Sequence, residues 1–258
     1  MLLASLICLA LGISISPAAA NVEKTIFLGP EPVNIPSQQP SLSALNIDTL
    51  TPDDDNWSLR THIDASFPTQ DSSRGSSSWF ILDGLAEGRR YEVRICWLAT
   101  QPTAFRLETH TLPEVFDTPE LITSLHNYST SRRGEPTTTR RPYQDGTTGD
   151  GHGDRLSSVL FLRVDAAADY FTTDAALMRR PEPVLADLIL DPFVLNVLPR
   201  TLAPAAGLAV LAAALSWALA SRVIMPRVRG LMVAEDGDGD GDGDGGRPQQ
   251  GGEQKKTR

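Results

Sequence analysis

Residues 90–97 read Arg-Tyr-Glu-Val-Arg-Ile-Cys-Trp, and polar and apolar side chains alternate along nearly the whole run. Successive side chains of a β-strand point to opposite faces of its sheet. The alternation therefore predicts a strand with one buried and one solvated face. Cys96 lies in this run, where a buried thiol is expected more than a reactive one.

Further strand-like runs occur on both sides of this strand. Those at 57–63 and 105–109 alternate, the one at 79–82 is short and apolar, and the one at 159–164 predicts a more buried strand. They are separated by Gly, Pro and Asp, which is typical of antiparallel sheets. The predicted fold class is mainly β, an antiparallel sandwich-like domain followed by one C-terminal transmembrane helix. The segment from Gly84 to Val93, which contains Gly88 and Tyr91, resembles the E–F corner of fibronectin type III domains.

The two ends of the chain predict its topology. Residues 1–20 are apolar up to Pro17 and close on Ala18-Ala19-Ala20, which predicts a cleaved signal peptide. Residues 201–221 carry no charge and are long enough for a helix that crosses a bilayer. Arginines cluster after this span, so the positive-inside rule places the tail, 222–258, in the cytosol and the domain, 21–199, in the lumen.

The C-terminus predicts where the protein resides. Lys255 and Lys256 stand fourth and third from the end, the dilysine pattern that the retrograde vesicle coat reads on cytosolic tails. Such a signal is an address rather than an anchor. We therefore expect a single-pass type I protein of the endoplasmic-reticulum membrane, with the lipid bilayer and the vesicle coat among its partners.

Composition limits which kinds of partner and which ordered segments are expected. The formal net charge is −9, and part of it lies in the Gly-Asp repeat at 236–245, which predicts a flexible acidic spacer. The sequence shows no basic face beyond short Arg pairs, so no nucleic-acid partner is expected. Residues 129–154 are rich in Thr, Gly, Arg and Pro and predict a long disordered loop.

Two N-x-[ST] sequons, at Asn56 and Asn127, predict glycosylation sites in the luminal domain. Before the span, residues 184–195 are very apolar but include Asp187, Asp191 and Pro192. This segment is either the last strand of the domain's core or a surface for the membrane interface or a partner, and the sequence leaves both open.

Known catalytic patterns are missing from the sequence. The four histidines, at 62, 110, 126 and 152, lack metal-ligand spacing, and the hydrolase, P-loop and zinc-protease motifs are absent. We therefore expect no catalytic, cofactor-binding or metal-binding residues and no enzyme activity of the chain's own.

The span itself contains a candidate docking face. Ala205, Ala209 and Ala213 recur every four residues and share one side of a helix, and small residues let helices approach closely in lipid. Further alanines at 206, 212 and 214 also fit a span that is simply Ala-rich, so both interpretations stay open.

Three short blocks point to a family: residues 21–28 directly after the signal, the strand at 91–98, and Val197-Leu198-Pro199-Arg200 at the entry to a single late span. Together with the chain's overall plan, they resemble the fungal co-activator subunit of GPI mannosyltransferase II. The stabilising subunit of GPI mannosyltransferase I has a similar plan. This chain departs from the family in its Gly-Asp tail and its Arg-rich loop.

The resemblance implies a noncatalytic accessory subunit that stabilises or activates a multi-pass catalytic subunit. That enzyme would add the second mannose in GPI-anchor biosynthesis. An alternative of another class is a secretory-pathway cargo receptor or chaperone, whose sandwich would be the ligand-binding module.

Overall fold

The computed structural model describes residues 21–35, 41–53, 55–70, 72–134, 141–144 and 155–235. The predicted signal peptide at 1–20, the Gly-Asp repeat and the dilysine at Lys255 and Lys256 lie outside the described residues. The chain divides into two compact units between Ala203 and Pro204. The first contains the β-domain, and the second contains most of the C-terminal helix.

The described residues form ten strands and several helices. The strands are β1 (Val22–Leu28), β2 (Val33–Ile35), β3 (Thr49–Leu50), β4 (Ser58–Ile63), β5 (Ser76–Leu85), β6 (Arg90–Trp97), β7 (Thr103–Thr111), β8 (Arg155–Ala168), β9 (Val184–Val194) and β10 (Leu198–Pro199). The α-helices are α1 (Leu112–Asp117), α2 (Pro119–Ser131), α3 (Ala175–Arg179), α4 (Ala203–Leu219) and α5 (Met225–Glu235). Short 3₁₀ turns occupy Leu42–Leu45, Arg132–Gly134 and Arg200–Leu202, and Ala220–Ile224 forms a π-helical turn.

The first sheet is antiparallel and has β9 near its centre. β9 pairs with β6 on one side, with Tyr91 opposite Pro192 and Trp97 opposite Ala186, and also pairs with β4. β1 pairs with the free edge of β6, and the short β10 folds back on the end of β9. The alternating run at 90–97 is therefore an inner strand of this sheet.

The second sheet is built around β8. This strand pairs with β5, β7 and β2, all antiparallel. β3 joins the far side of β5 in a short parallel pairing. Except for β3, every pairing in both sheets of the described chain is antiparallel.

The two sheets pack face to face around one apolar core. Core residues come from both sheets and follow the two-residue period of each strand; examples are Val93 and Ile95 on β6, Leu188 on β9, and Phe80 and Leu162 on the second sheet. Each of these five side chains is fully buried. The mainly β, antiparallel, sandwich-like fold class is confirmed.

A helical layer covers the outer face of the second sheet, which the sequence analysis did not predict. Val115 of α1 and Leu125 of α2 pack with Trp79, Ile81 and Phe161 in a second buried cluster. Buried on both faces, β5 and β8 read as continuous apolar runs rather than alternating ones.

Helix α1 begins at a capping box. The Thr111 side chain accepts from the Glu114 backbone N–H, and the Glu114 carboxylate accepts from the Thr111 N–H. Such reciprocal bonds satisfy two donors that a helix start leaves unpaired. A Thr-x-x-Glu signature was therefore present in the sequence at this start.

The predicted disordered loop at 129–154 is wrong for its first residues. Residues 129–131 form the last turn of α2, and a 3₁₀ turn follows. Asp48, which is 1 % exposed, accepts from Arg132 Nη2 at 2.6 Å and from the Arg141 backbone N–H at 2.8 Å. One buried carboxylate thus holds the chain on both sides of 135–140, and Arg132 serves an internal ion pair rather than a solvated loop.

Of the two interpretations of residues 184–195, the core strand is confirmed. β9 runs from Val184 to Val194 and contributes Val184, Ala186, Leu188 and Leu190 to the core between the sheets. Asp187 and Asp191 lie on the opposite face of the strand, because they occupy the alternate positions.

The described residues contain one helix long and apolar enough to cross a membrane, Arg200–Gly230. It has 31 residues, and none of its most apolar window is buried. The predicted span at 201–221 overlaps its first two thirds. Beyond residue 221, the predicted end of the span, the chain continues as a helix through the π-helical turn and α5. Arg222 lies within that turn.

Candidate functional site

The outer face of the first sheet carries polar side chains where the second sheet carries helices. Along β6 the outward positions are Arg90, Glu92, Arg94 and Cys96, and along β9 they include Asp187 and Asp191. This face adjoins the start of the C-terminal helix, because β9 leads through β10 directly to Arg200.

On this face, near the end where β9 turns into β10, five residues form what we call the anchor cluster: Lys24, Glu92, Arg94, Asp191 and Thr201. Glu92 and Asp191 face each other in register on β6 and β9, and they are 3 % and 0 % exposed. Two carboxylates this close and this buried need cations or donors around them.

The cluster supplies those partners. Lys24 Nζ lies 2.9 Å from Glu92 Oε2, and Arg94 Nη1 lies 3.3 Å from Glu92 Oε1 and 3.8 Å from Asp191 Oδ2. The Thr201 hydroxyl donates to Asp191 Oδ2 at 2.5 Å, and the Thr201 backbone N–H donates to the same carboxylate. Arg94 Nη2 also donates to the Thr201 hydroxyl at 3.3 Å.

Thr201 sits in the 3₁₀ turn that opens the candidate membrane span. Asp191 therefore acts on this turn as a capping carboxylate does on a helix start, by accepting from a backbone N–H that has no partner within the turn. All four carboxylate oxygens of Glu92 and Asp191 are engaged inside the cluster. The cluster therefore has a structural role, and we call this set of contacts the clamp. It fixes the chain that enters the helix to the two inner strands of the first sheet.

A second set of contacts orders the end of the sandwich next to this clamp. Between β5 and β6 the chain crosses from one sheet to the other through residues 86–89. The Tyr91 hydroxyl accepts from the Ala86 backbone N–H at 2.9 Å. This is the bond that defines a tyrosine corner, so the resemblance of this segment to a fibronectin type III corner extends to its hydrogen bonding.

The turn between β9 and β10 is pinned to that corner. Asn196 Oδ1 accepts from the Arg90 N–H at 2.9 Å, and Asn196 Nδ2 donates to Gly88 O at 3.1 Å. Both central turn residues have positive φ, 53° at Leu195 and 57° at Asn196, and the Val197 N–H donates to Val194 O. These are features of a type I′ hairpin turn, which favours Asn and Gly at its centre.

Leu195 does not fit that preference. A branched apolar side chain in the left-handed region costs on the order of 1 kcal/mol relative to the right-handed region. It is also 89 % exposed, and Val197 is 77 % exposed. We call residues 194–197 the hairpin tip; it combines backbone strain with apolar exposure at one end of the first sheet.

Further along the same face lies a more exposed pair. Arg60 Nε and Nη2 donate to the two carboxylate oxygens of Asp187 at 2.7 and 2.8 Å. The hydrogen bond from Arg60, together with its charge, lowers the pKa of Asp187. Cys96 is half-buried beside this pair, and burial, helped by the Asp187 charge, raises the pKa of its thiol.

The predicted glycosylation sites lie on different elements. Asn56 is half-buried in the turn before β4, where its backbone N–H donates to Asp53 Oδ1 at 2.8 Å, and it lines a polar cavity of about 360 Å³. Asn127 is exposed inside α2. The Ser129 hydroxyl of its sequon is buried and donates to Leu45 O at 2.6 Å.

The predicted docking face lies on α4. Ala205, Ala209 and Ala213 are all exposed on this helix. Lys255 and Lys256 lie outside the described residues, so the structure does not bear on the retrieval signal.

The anchor cluster was not predicted from the sequence. Its signal was present, since Glu92 and Arg94 alternate along one strand and Asp187 and Asp191 interrupt an apolar run at even spacing. What the sequence does not contain is the pairing of β6 with β9, ninety residues apart, that brings these charges together.

Comparison of the chain with family models, with curated proteins and with solved structures gave no match. Among the described residues, no group of three or more His, Cys, Asp or Glu side chains is arranged to hold a metal ion.

Proposed function

We propose that the chain is a noncatalytic, single-pass accessory subunit of the endoplasmic-reticulum membrane, with its sandwich in the lumen. In this proposal it stabilises the multi-pass mannosyltransferase that adds the second mannose to the GPI-anchor precursor. The family resemblance of residues 21–28, 91–98 and 197–200 supplies the enzyme class, and the fold supplies the reason for an accessory role.

The observation that carries the proposal is the clamp between the sheet and the start of the helix. Asp191 and Arg94, on the two inner strands of the first sheet, both bond Thr201 at the entry to the span. A flexible linker would leave a domain free to search for soluble ligands. A clamped entry instead keeps the residues that enter the span on the first sheet, which suits a domain that acts beside a neighbour in the same membrane.

The span offers a surface for that neighbour. Helices in lipid associate through packing, and small residues at the contact allow close approach. Successive residues are rotated by about 100° around a helix, so Ala205, Ala209 and Ala213 fall within one side about 80° wide. These three exposed alanines are the proposed contact with a helix of the catalytic subunit.

The proposal is tested by purifying the full-length chain in a mild detergent and identifying what accompanies it. We expect one multi-pass glycosyltransferase in near-stoichiometric yield. Coat subunits together with many unrelated secretory proteins would instead favour the cargo-receptor alternative and overturn the proposal.

A matched pair of variants localises the contact. Ala209 and Ala213 are both changed to Leu in one variant, and Ala214 and Ala218, on the opposite side of the helix, are changed to Leu in the control. Both variants add the same apolar volume, so both should insert equally. Selective loss of the enzyme from the first variant supports the docking face, and equal recovery from the two contradicts it.

A further inference from the structure

One end of the first sheet collects exposed apolar and basic side chains. Leu28 ends β1 opposite Arg90, the first residue of β6, and β9 ends beside them at the hairpin tip. Leu28 is 57 % exposed, Leu195 89 % and Val197 77 %. Large apolar side chains that gather at one end of a domain mark an interaction surface more than scattered ones do.

The tip is held outward by its own contacts. Asn196 bonds the corner at Gly88 and Arg90, and this keeps Leu195 in the left-handed region and pointing away from the core. Asparagine or glycine would fit the same backbone without strain. Backbone strain of this kind is found mainly at functional sites. An exposed leucine held in a strained turn by hydrogen bonds therefore indicates a binding partner that covers its side chain.

Charge and chain length indicate what that partner is. Arg89 and Arg90 stand in the adjoining corner, with Glu87 as the acidic side chain of the same loop. Leu195 precedes Arg200, where the candidate span begins, by five residues, which cover at most about 18 Å of extended chain. Apolar tips flanked by arginine are suited to the boundary between acyl chains and phosphate headgroups.

We propose that the hairpin tip inserts into the interface of the same bilayer that the C-terminal helix crosses. Leu195 and Val197 enter the acyl boundary, to a depth of about 5–10 Å, while Arg89 and Arg90 lie at the level of the lipid phosphates. The inference rests on the membrane span of the proposed function but not on the mannosyltransferase, so it stands or falls independently of the proposed enzyme partner.

The test measures depth in the full-length chain. Cys8 and Cys96 are changed to Ala, and a single cysteine at position 195 or 197 is labelled with an environment-sensitive fluorophore. The labelled protein is reconstituted in phosphatidylcholine vesicles with some phosphatidylserine, and quenching by lipids with a nitroxide on the upper acyl chain is recorded. The matched control is a label at Phe171, which is 86 % exposed.

The control lies at the other end of the sandwich. Phe171 follows Tyr170, which lines a cavity together with Thr100 and Val184. Val184 is the first residue of β9, whereas the hairpin tip lies at the other end of that strand. We expect quenching at 195 and 197 to exceed quenching at 171 several-fold. Equal quenching at all three positions overturns the proposal.

A second variant guards against a label that inserts by its own hydrophobicity. Leu195→Asn relieves the turn, so the thermal midpoint should stay or rise, while a label at 197 should lose most of its quenching. Unchanged quenching at 197 in this variant would show that Leu195 does not hold the tip in the membrane, and would overturn the assignment.

Discussion

The two sheets of the sandwich share one core but differ on their outer faces. Trp79, Ile81 and Phe161 of the second sheet are fully buried under α1 and α2. The first sheet presents ionic pairs such as Arg60 with Asp187, and its buried carboxylates are tied to the start of the helix. Covering by helices lets a strand be apolar throughout, whereas a sheet that keeps a polar face retains the two-residue alternation.

The largest effect on stability is expected when the same substitution, Ile to Ala, is made on the outer face of each sheet. Ile81 faces outward on β5 and is fully buried, whereas Ile189 faces outward on β9 and is half-buried. Ile81→Ala should lower the free energy of unfolding by about 2–5 kcal/mol, because it opens a cavity under α2. Ile189→Ala should cost clearly less, about 1 kcal/mol.

Chemical denaturation of both variants, followed by circular dichroism, measures the two losses. Equal losses would mean that the outer face of the first sheet is packed as tightly as that of the second. The contrast between a covered and an open face would then be wrong.

An intermediate effect is expected in the anchor cluster. Asp191→Ala removes the acceptor of the Thr201 hydroxyl and backbone N–H and leaves Arg94 with fewer partners. Leaving such groups unsatisfied should cost about 1–3 kcal/mol. Thr201→Val is the control, since it removes the hydroxyl but keeps the backbone bond, and it should cost less.

The measurement has a local readout as well as a global one. Amide hydrogen exchange at 200–202 should accelerate in Asp191→Ala much more than exchange in the core of β8. Exchange that is unchanged at these residues would contradict the clamp.

The smallest effect is expected at the exposed pair of Arg60 and Asp187. The pKa of Asp187 is lowered in the folded protein, so its contribution to stability is present above the ordinary carboxyl pKa of 3.8. That contribution is lost as the pH falls through the lowered value. Because both side chains are solvent-accessible, screening keeps the contribution small.

Comparing wild type with Asp187→Asn between pH 7 and pH 2 should therefore show a small stability difference that disappears in acid. High salt should reduce it further. A difference that grows as the pH falls would have the wrong sign for a lowered pKa.

These contrasts also show how far the sequence could predict the fold. The alternation at 90–97 correctly predicted a strand with one apolar and one polar face, and the apolar run at 159–164 predicted a more buried strand. The helices at 112–131 were missed because that stretch lies between two strands and contains two prolines. Its start signals, Thr111 with Glu114 and Pro at the first turns, were local and could have been recognised.

The site was harder to predict than the fold. Glu92 and Asp191 are almost a hundred residues apart, and only the register of β6 on β9 makes them neighbours. The interpretation of 184–195 stayed open for a related reason, since the same apolar run suits a core strand or a membrane surface until its pairing is known. The exposed Leu195 had no sequence signature, because its left-handed backbone is set by the turn.

The position of β9, shortly before the C-terminal helix, has a mechanical consequence. β9 is held by β6 along one side and by β4 along the other, and the hydrogen bonds of antiparallel strands lie perpendicular to the chain. Tension drawn from the helix would first load the short β9–β10 pairing and the bonds between Thr201 and Asp191. Once it reached β9, it would act on both ladders together, and many bonds would have to break at once. A domain that ended in an edge strand would have only one ladder to break, so the inner position of β9 protects the sandwich against force applied through the helix.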